Sequence, residues 1–192
     1  EWSPIETLFP FLLGGVYYSW DKKELAMEWY YNSLKMEPDH MDIRKLTAAI
    51  SEENKNYQLS DSLYKTILEQ DTVDATGMNN YAFSLCERSD GDLGYALQLA
   101  QKAIEIEPEN PAYLDTIGWI HFKLNHYEKA MVFLEKSIEI DSMDTVILEH
   151  LGDVYQKIGR FERAASMYDK VLSLSPDSEI ILEKIRLLKN HD

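Results

Sequence analysis

The stretch PAYLDTIGWIHFKLNHYEKAMVFLEKSIEI, residues 111–140, decides the fold class of this chain. Its apolar residues recur at three- and four-residue steps, as in Leu114 and Ile117, and this period is typical of helices rather than strands. Asn110 stands before a proline, a helix start signal because asparagine caps the first turn and proline needs no hydrogen-bond donor there. The stretch therefore predicts two helices separated by a turn at Asn125.

A glycine, Gly118, lies inside the first of these helices, where it costs about 1 kcal/mol relative to alanine. The pair formed by Gly118 and Ala130 recurs 34 residues later as Gly152 and Ala164. We expect the cost of the glycine to be offset by close approach of the paired helix. The same step predicts repeats at about 7–40, 41–74, 75–110, 111–144 and 145–178, with a capping helix at 179–190, in a single domain of residues 1–192.

Small residues mark this register in both helices of every repeat, and the register resembles that of the tetratricopeptide repeat family. The resemblance implies an all-α fold, a right-handed α-solenoid of about five helix–turn–helix units. It also implies a concave groove, lined by first helices, that binds peptides or protein segments. The small residues are Gly14, Ala48, Ala82, Gly118 and Gly152 in the first helices, and Ala26, Ser60, Ala96, Ala130 and Ala164 in the second.

The first two repeats depart from the family pattern. Pro10 predicts that the first helix starts late or is kinked. Asp21-Lys22-Lys23-Glu24 resembles a capping box for the second helix. In the second repeat, Arg44 and Thr47 stand where apolar residues are expected.

Composition limits the classes of partner. The chain has 192 residues, 45% of them apolar and 28% charged, as in folded proteins, and its net charge is −15. An acidic surface repels phosphate, so we expect no nucleic acid as partner and no attraction to anionic membranes. The longest apolar run, residues 8–18, is too short to span a bilayer, so we expect no direct membrane insertion.

The phase of the repeat selects the side chains that face the groove. Phe83, Trp119 and Phe122 are expected to form an aromatic cluster there, or else to pack as ordinary core. Acidic groove residues outnumber lysines, so the predicted ligand is a protein or peptide segment with apolar anchors and basic residues. The predicted partner-binding residues are Phe11, Tyr18, Asn79, Phe83, Asp115, Trp119, Phe122, Glu149 and Asp153.

Catalytic, cofactor and metal motifs are not found in the sequence. His121 and His126 are five positions apart, which does not place them on one helical face, so we expect no metal site between them. Cys86, the single cysteine, is expected to be a small buried residue. The leading hypothesis is therefore a non-enzymatic interaction scaffold or adaptor.

Two alternatives stay open. The chain could be a regulatory or substrate-docking segment of a larger enzyme or protease complex. It could also self-assemble through its apolar start, where Trp2, Ile5 and Phe9 suggest either preceding repeats or a docking end.

Two strings, residues 79–82 (NNYA) and 113–119 (YLDTIGW), resemble a subgroup of bacterial repeat proteins of the cell envelope. This likeness favours a periplasmic or envelope-associated location, with the cytoplasm as the alternative.

Overall fold

The computed structural model describes residues 4–189, with side chains for residues 8–188, and each regular element in this part of the chain is an α-helix. None of these helices combines the length and the apolar character needed to cross a bilayer. The eleven helices of residues 4–189 are α1 (Pro4–Ser19), α2 (Lys23–Met36), α3 (Met41–Glu53), α4 (Tyr57–Gln70), α5 (Ala75–Glu87), α6 (Leu93–Ile106), α7 (Pro111–Lys123), α8 (Tyr127–Ile140), α9 (Thr145–Lys157), α10 (Phe161–Leu174) and α11 (Glu179–Lys189).

Helices α3, α5, α7, α9 and α11 begin at the positions where the sequence places the start of a repeat or of the capping helix. The first helix begins at Pro4, before the predicted start at residue 7, and it continues through Pro10, so the expectation of a late start is wrong. The predicted end of the capping helix at Asn190 lies outside the described residues.

Polar side chains cap several of the helix starts. Asn110 Oδ1 accepts a hydrogen bond from the Ala112 amide at 3.1 Å, as its place before Pro111 predicts. The predicted capping box at residues 21–24 is wrong, because α2 begins after Lys22 and no side chain caps it. Asp21 instead has a φ of 55°, which places it in the turn rather than at the N-cap.

A left-handed residue makes the turn between the two helices of four repeats. These residues are Asp21, Lys55, Asn125 and Gly159, with φ values of 55°, 58°, 60° and 75°. After Asn125, the amide of His126 donates to the carbonyl of His121 at 2.8 Å. This bond reaches back five residues and closes the helix end as in a Schellman motif.

The small residues let paired helices approach closely, as predicted. A Cβ atom added at Gly118 would lie 2.8 Å from Leu134 Cγ and 3.3 Å from the Ala130 carbonyl oxygen. One added at Gly152 would lie 2.4 Å from the ring of Tyr168. Any larger residue would push the helices apart, so the spacing of small residues follows from the packing distance.

The chain divides into two compact units, Glu1–Ser84 (unit 1) and Leu85–Asp192 (unit 2). In unit 1, α1 packs on α2, α2 on α3 and α3 on α4, around buried residues that include Ala26, Tyr30 and Ile50. In unit 2, neighbouring helices from α6 to α11 pack in the same manner. The single domain over residues 1–192 stays a prediction.

Candidate functional site

Three aromatic rings form a stack on the first helices of unit 2. The Trp119 indole lies parallel to the Phe122 ring, with centroids 4.7 Å apart and planes at 6°. The imidazole of His150 from α9 also stacks on the indole, with centroids 3.9 Å apart and planes at 10°. Trp119 is only 9% exposed, and Phe122 is half-buried, packing against the apolar core of unit 2 and lying 5.6 Å from the Tyr127 ring between centroids.

Charged side chains hold the edge of this stack. The Trp119 indole N–H donates to Glu87 Oε1 at 2.8 Å, from the end of α5. Lys123 Nζ lies 3.2 Å from the same oxygen and 5.1 Å from the centroid of the Trp119 ring. Both Lys123 and Glu87 reach solvent, so an ion pair borders the aromatic rings.

Asp115, one of the predicted site residues, is bonded to the imidazole of the stack. Its Oδ1 accepts a hydrogen bond from His150 Nδ1 at 2.8 Å, and both residues are buried. The carboxylate therefore fixes the tautomer and the orientation of the imidazole that stacks on Trp119. This hydrogen bond joins α7 to α9.

Glu149 and Asp153, both predicted to attract a basic ligand, already have a cation from the same chain. Lys184 of α11 places its Nζ 2.7 Å from Glu149 Oε1 and 2.6 Å from Asp153 Oδ1. Tyr168 also donates its hydroxyl to Asp153 at 2.7 Å. Burial, followed by this hydrogen bond, raises the pKa of Tyr168. A basic ligand would have to compete with Lys184 here.

We name the group Glu87, Asp115, Trp119, Phe122, Lys123, Glu149, His150 and Asp153 the α7–α9 surface, after the helices that carry most of it. It joins five of the predicted site residues, all of them in unit 2.

The other four predicted site residues lie in unit 1. Phe11 packs against Tyr30, with ring centroids 5.8 Å apart. The Tyr18 hydroxyl donates to Glu53 Oε1 at 2.9 Å, and this hydrogen bond is the main cause of the raised pKa of Tyr18. A pocket of about 110 Å³ opens beside it, lined by Tyr18, Tyr30, Leu46, Ala49, Ile50 and Glu53.

Asn79 and Phe83 are carried by the part of α5 that belongs to unit 1. Asn79 is 6% exposed, and its Oδ1 finds no hydrogen-bond partner within residues 8–188. Phe83 is 38% exposed. Two members of the predicted aromatic cluster, Trp119 and Phe122, stack on each other in unit 2. The third member, Phe83, belongs to unit 1, so its place in the cluster stays a prediction.

Sequence reasoning missed His150, which belongs to the α7–α9 surface, and Lys184, which pairs with its carboxylates. Each contacts a predicted residue at a separation close to one repeat: 35 positions for Asp115 and His150, and 31 for Asp153 and Lys184. These contacts could have been predicted from the sequence by searching for pairs of complementary polar residues separated by about one repeat.

His121 and His126 lie together, contrary to the expectation from their spacing. Their Nδ1 atoms are 3.4 Å apart, because the turn after α7 brings His126 back over the last turn of the helix. Burial, and then the charge of Lys129, lowers the pKa of His121. Among the described residues, no group of three or more His, Cys, Asp or Glu side chains is placed to hold a metal ion.

Cys86 is 3% exposed, in agreement with its expected place in the core. Burial, and then the charge of Glu87, raises the pKa of its thiol to about 12. A thiol in this state is a poor nucleophile at neutral pH.

Comparison with known proteins gives a consistent match to one kind of repeat. Models of the tetratricopeptide repeat match residues 11–40, 112–142 and 147–181, which together make up half of the chain. A TPR repeat-containing protein of Pseudomonas aeruginosa is 24% identical over 103 residues, which cover 54% of this chain and 17% of that protein. The chain thus spans a small part of the length of the curated relative that it matches.

Solved structures match over nearly all of the chain. A thermophilic TPR protein of Thermus thermophilus superposes with a TM-score of 0.81 at 18% identity, over 95% of this chain and 98% of that one. PilW, a type IV pilus biogenesis factor, superposes with a TM-score of 0.82 at 16% identity, over 98% of this chain and 88% of that one. These likenesses show the fold, and the predicted all-α solenoid of helix–turn–helix repeats is confirmed.

Proposed function

We propose that this chain, which belongs to the tetratricopeptide repeat family, is a non-enzymatic scaffold that holds a peptide or protein segment on the α7–α9 surface of unit 2. Proteins of this family are in general interaction modules without catalysis. The observation that carries the proposal is the stack of Phe122, Trp119 and His150 with an ion pair at its edge. Aromatic anchors bordered by charged groups are typical of binding hot spots.

The chemistry of the surface defines the ligand. Phe122 is half-buried, and we propose that the exposed part of its ring contacts an apolar side chain of the ligand. Glu87 and Lys123 form an exposed pair that a basic ligand residue would rearrange, since Glu87 can accept from a ligand Lys or Arg in place of Lys123. We therefore propose a ligand segment with an apolar anchor and a basic residue close to it.

The pocket beside Tyr18 in unit 1 is proposed as a second anchor site. Its lining is mostly apolar, and the Glu53 carboxylate lies at its edge. The Asn79 Oδ1, buried without a partner in the described chain, is an acceptor that a backbone N–H of a bound segment would satisfy.

A phage-displayed library of short peptides, selected on the purified chain, tests the proposal. The selected peptides should contain a large apolar residue near a Lys or Arg. Binding of synthetic copies, measured by fluorescence anisotropy, should weaken at least about tenfold, which is about 1.4 kcal/mol, in Trp119→Leu and in Phe122→Ala.

The matched control is Val132→Ala, a change on the exposed side of α8, which should bind with unchanged affinity. Circular dichroism establishes that each variant is folded. Selected peptides that bind Trp119→Leu and Phe122→Ala as well as the original chain would show that the α7–α9 surface is not the binding site.

Location in the bacterial envelope is a further part of the proposal. It is supported by the strings at residues 79–82 and 113–119, and by the fold shared with PilW, a type IV pilus biogenesis factor. Fractionation of the source cells tests it, and recovery in the cytoplasmic fraction alone would contradict it.

Two other functions stay alternatives: a regulatory or substrate-docking role in a larger enzyme or protease complex, and self-association. The α1 residues Leu8, Phe9, Leu12 and Val16 are exposed apolar side chains, which favours self-association through this helix; Trp2 and Ile5 lie outside the described side chains. Light scattering at several concentrations separates these cases, since a monomer at all concentrations excludes self-association.

A further inference from the structure

The pocket of unit 1 has a buried floor and an exposed mouth. Tyr30 of α2 and Ile50 of α3 are 6% and 3% exposed and form the floor. Tyr18, Leu46 and Glu53 are exposed and border the mouth. A cavity of about 150 Å³ holds benzene, so this pocket of about 110 Å³ has room for about four heavy atoms. This is the size of one side chain.

The hydroxyl of Tyr30 is the polar group of the floor. The Tyr30 ring lies against α1 because two glycines leave room for it: a Cβ atom added at Gly14 would lie 2.7 Å from the ring, and one added at Gly15 would lie 3.7 Å from the hydroxyl oxygen. Burial raises the pKa of Tyr30, and within residues 8–188 no hydrogen bond or charge adds to this effect. The hydroxyl therefore keeps its proton at neutral pH and can donate it to a group that enters the pocket.

The carboxylate at the mouth of the pocket is already paired. Glu53 Oε1 accepts a hydrogen bond from the Tyr18 hydroxyl at 2.9 Å, and Glu53 Oε2 lies 2.9 Å from Lys23 Nζ. A ligand cation would have to displace Lys23, and a ligand carboxylate would be repelled by Glu53. The charges around the pocket thus favour an uncharged side chain as its occupant.

Among uncharged side chains, methionine matches these walls. Leucine has a suitable size but offers no acceptor to the Tyr30 hydroxyl, and an amide side chain brings N–H donors to an otherwise apolar floor. The thioether of methionine is a weak acceptor that also contacts aromatic rings favourably, and the rings of Tyr18 and Tyr30 line the pocket. We propose that the pocket binds a methionine side chain of the segment that this chain holds, with the sulfur facing the Tyr30 hydroxyl. This inference rests on the proposed function, and it gives the second anchor site its ligand chemistry.

Titration with N-acetyl-methionine methylamide, followed by the NMR shifts of the Leu46 and Ile50 methyl groups, tests the proposal. The norleucine analogue has a CH₂ group in place of the sulfur, so the original chain should bind the methionine probe at least about threefold more tightly. Tyr30→Phe keeps the ring and removes the hydroxyl, and it should reduce this preference. Equal affinity of the original chain for the two probes, or an undiminished preference in Tyr30→Phe, would overturn the proposal.

Filling the pocket gives a second measurement. Ala49→Leu places a larger side chain in the lining, and it should weaken binding of the methionine probe at least about tenfold. Ala112→Leu, the same change at an exposed position of α7, should leave this binding unchanged, and amide NMR spectra establish that each variant is folded. The proposal is also overturned if Ala49→Leu binds the probe as tightly as the original chain does. Because the single-residue probe does not need the α7–α9 surface, its failure to bind is distinguishable from a failure of that surface to bind the selected peptides.

Discussion

Units 1 and 2 are built from the same repeat, yet they fill their interiors differently. Unit 2 has an apolar core cluster with Leu134 and Leu148 at 0% exposure, and its buried polar residues include Asp115 and His150, which bond to each other. In unit 1, three side chains in the interior of α3 are polar: Arg44, Thr47 and Ser51. The repeat fold thus requires small residues where paired helices cross, but at other interior positions it accepts apolar or polar side chains.

The three polar side chains in the interior of α3 are tolerated because each of them finds a hydrogen-bond partner nearby. The Arg44 guanidinium donates to the Pro38 carbonyl and to Gln70 Oε1. The Thr47 hydroxyl donates to the Ile43 carbonyl at 2.7 Å. Since a satisfied buried group costs little, the comparison predicts that unit 2 is sensitive to lost volume and unit 1 to lost hydrogen bonds.

The largest effect is expected from a cavity in unit 2. Leu134→Ala removes a fully buried side chain that packs on Gly118, and it should lower the free energy of unfolding by about 2–5 kcal/mol. Denaturant unfolding measures the loss, and hydrogen exchange should show faster opening of α7 and α8. Val132→Ala, at a 60% exposed position of the same helix, is the control. A loss of less than 1 kcal/mol would mean that unit 2 collapses onto the cavity.

A smaller effect is expected when the buried cation of unit 1 is removed. Arg44→Met keeps much of the volume but takes the donor from the Pro38 carbonyl, and it should cost about 1–3 kcal/mol. Lys65→Met, an exposed change on α4, should stay within about 0.5 kcal/mol. If Arg44→Met leaves the free energy of unfolding unchanged or raises it, the hydrogen bonds of Arg44 do not stabilise unit 1. The proposed difference between the two units would then be wrong.

The helix pattern was predictable because local chemistry repeats at every unit. The turn at Asn125 could be foreseen, since asparagine tolerates a left-handed conformation. The first repeat was harder, because Lys22 offers no capping group and Asp21, which looked like a cap, serves as the left-handed residue instead. Sequence spacing alone does not distinguish these two uses of an aspartate.

The site was less predictable than the fold. The phase of the repeat selects Trp119 and Asp115, but whether His150 stacks on the indole depends on the rotation between successive first helices. Lys184 is likewise paired with Asp153 only because of the way α11 packs on its neighbouring helix. The neighbourhood of His121 depends on the closed turn, which the five-residue spacing does not reveal.

The third prediction tests whether the interior of unit 2 excludes water, using the effect of the Cys86 thiol on the pH dependence of stability. Burial raises the pKa of Cys86 to about 12 in the folded chain, whereas an unfolded thiol has a pKa of about 8.5. Above the unfolded pKa, the unfolded state loses its proton first, so stability falls as pH rises. Between pH 8 and 10, the original chain should lose about 1–2 kcal/mol more unfolding free energy than Cys86→Ala.

Urea unfolding of both proteins at the two pH values gives this difference, and the titration of other groups cancels between them. An equal loss in the original chain and in Cys86→Ala would show that water reaches the thiol, and unit 2 would then be less closed than its apolar filling indicates.

The smallest effect is expected for Thr47→Val, which separates the loss of a hydrogen bond from the loss of a donor that other groups need. Thr47→Val in unit 1 removes a fully buried hydroxyl, but its acceptor, the Ile43 carbonyl, lies within the regular hydrogen bonding of α3. No buried group is left without a partner, so denaturant unfolding should show a change within about 1 kcal/mol, of either sign. Arg44→Met differs because it removes the donor from two acceptors at once, the Pro38 carbonyl and Gln70 Oε1, neither of which belongs to the backbone hydrogen bonding of α3. Thr47→Val could instead lower the free energy of unfolding as much as Arg44→Met does. Each hydrogen bond of these side chains would then be stabilising by itself, whether or not its loss leaves an acceptor without a donor.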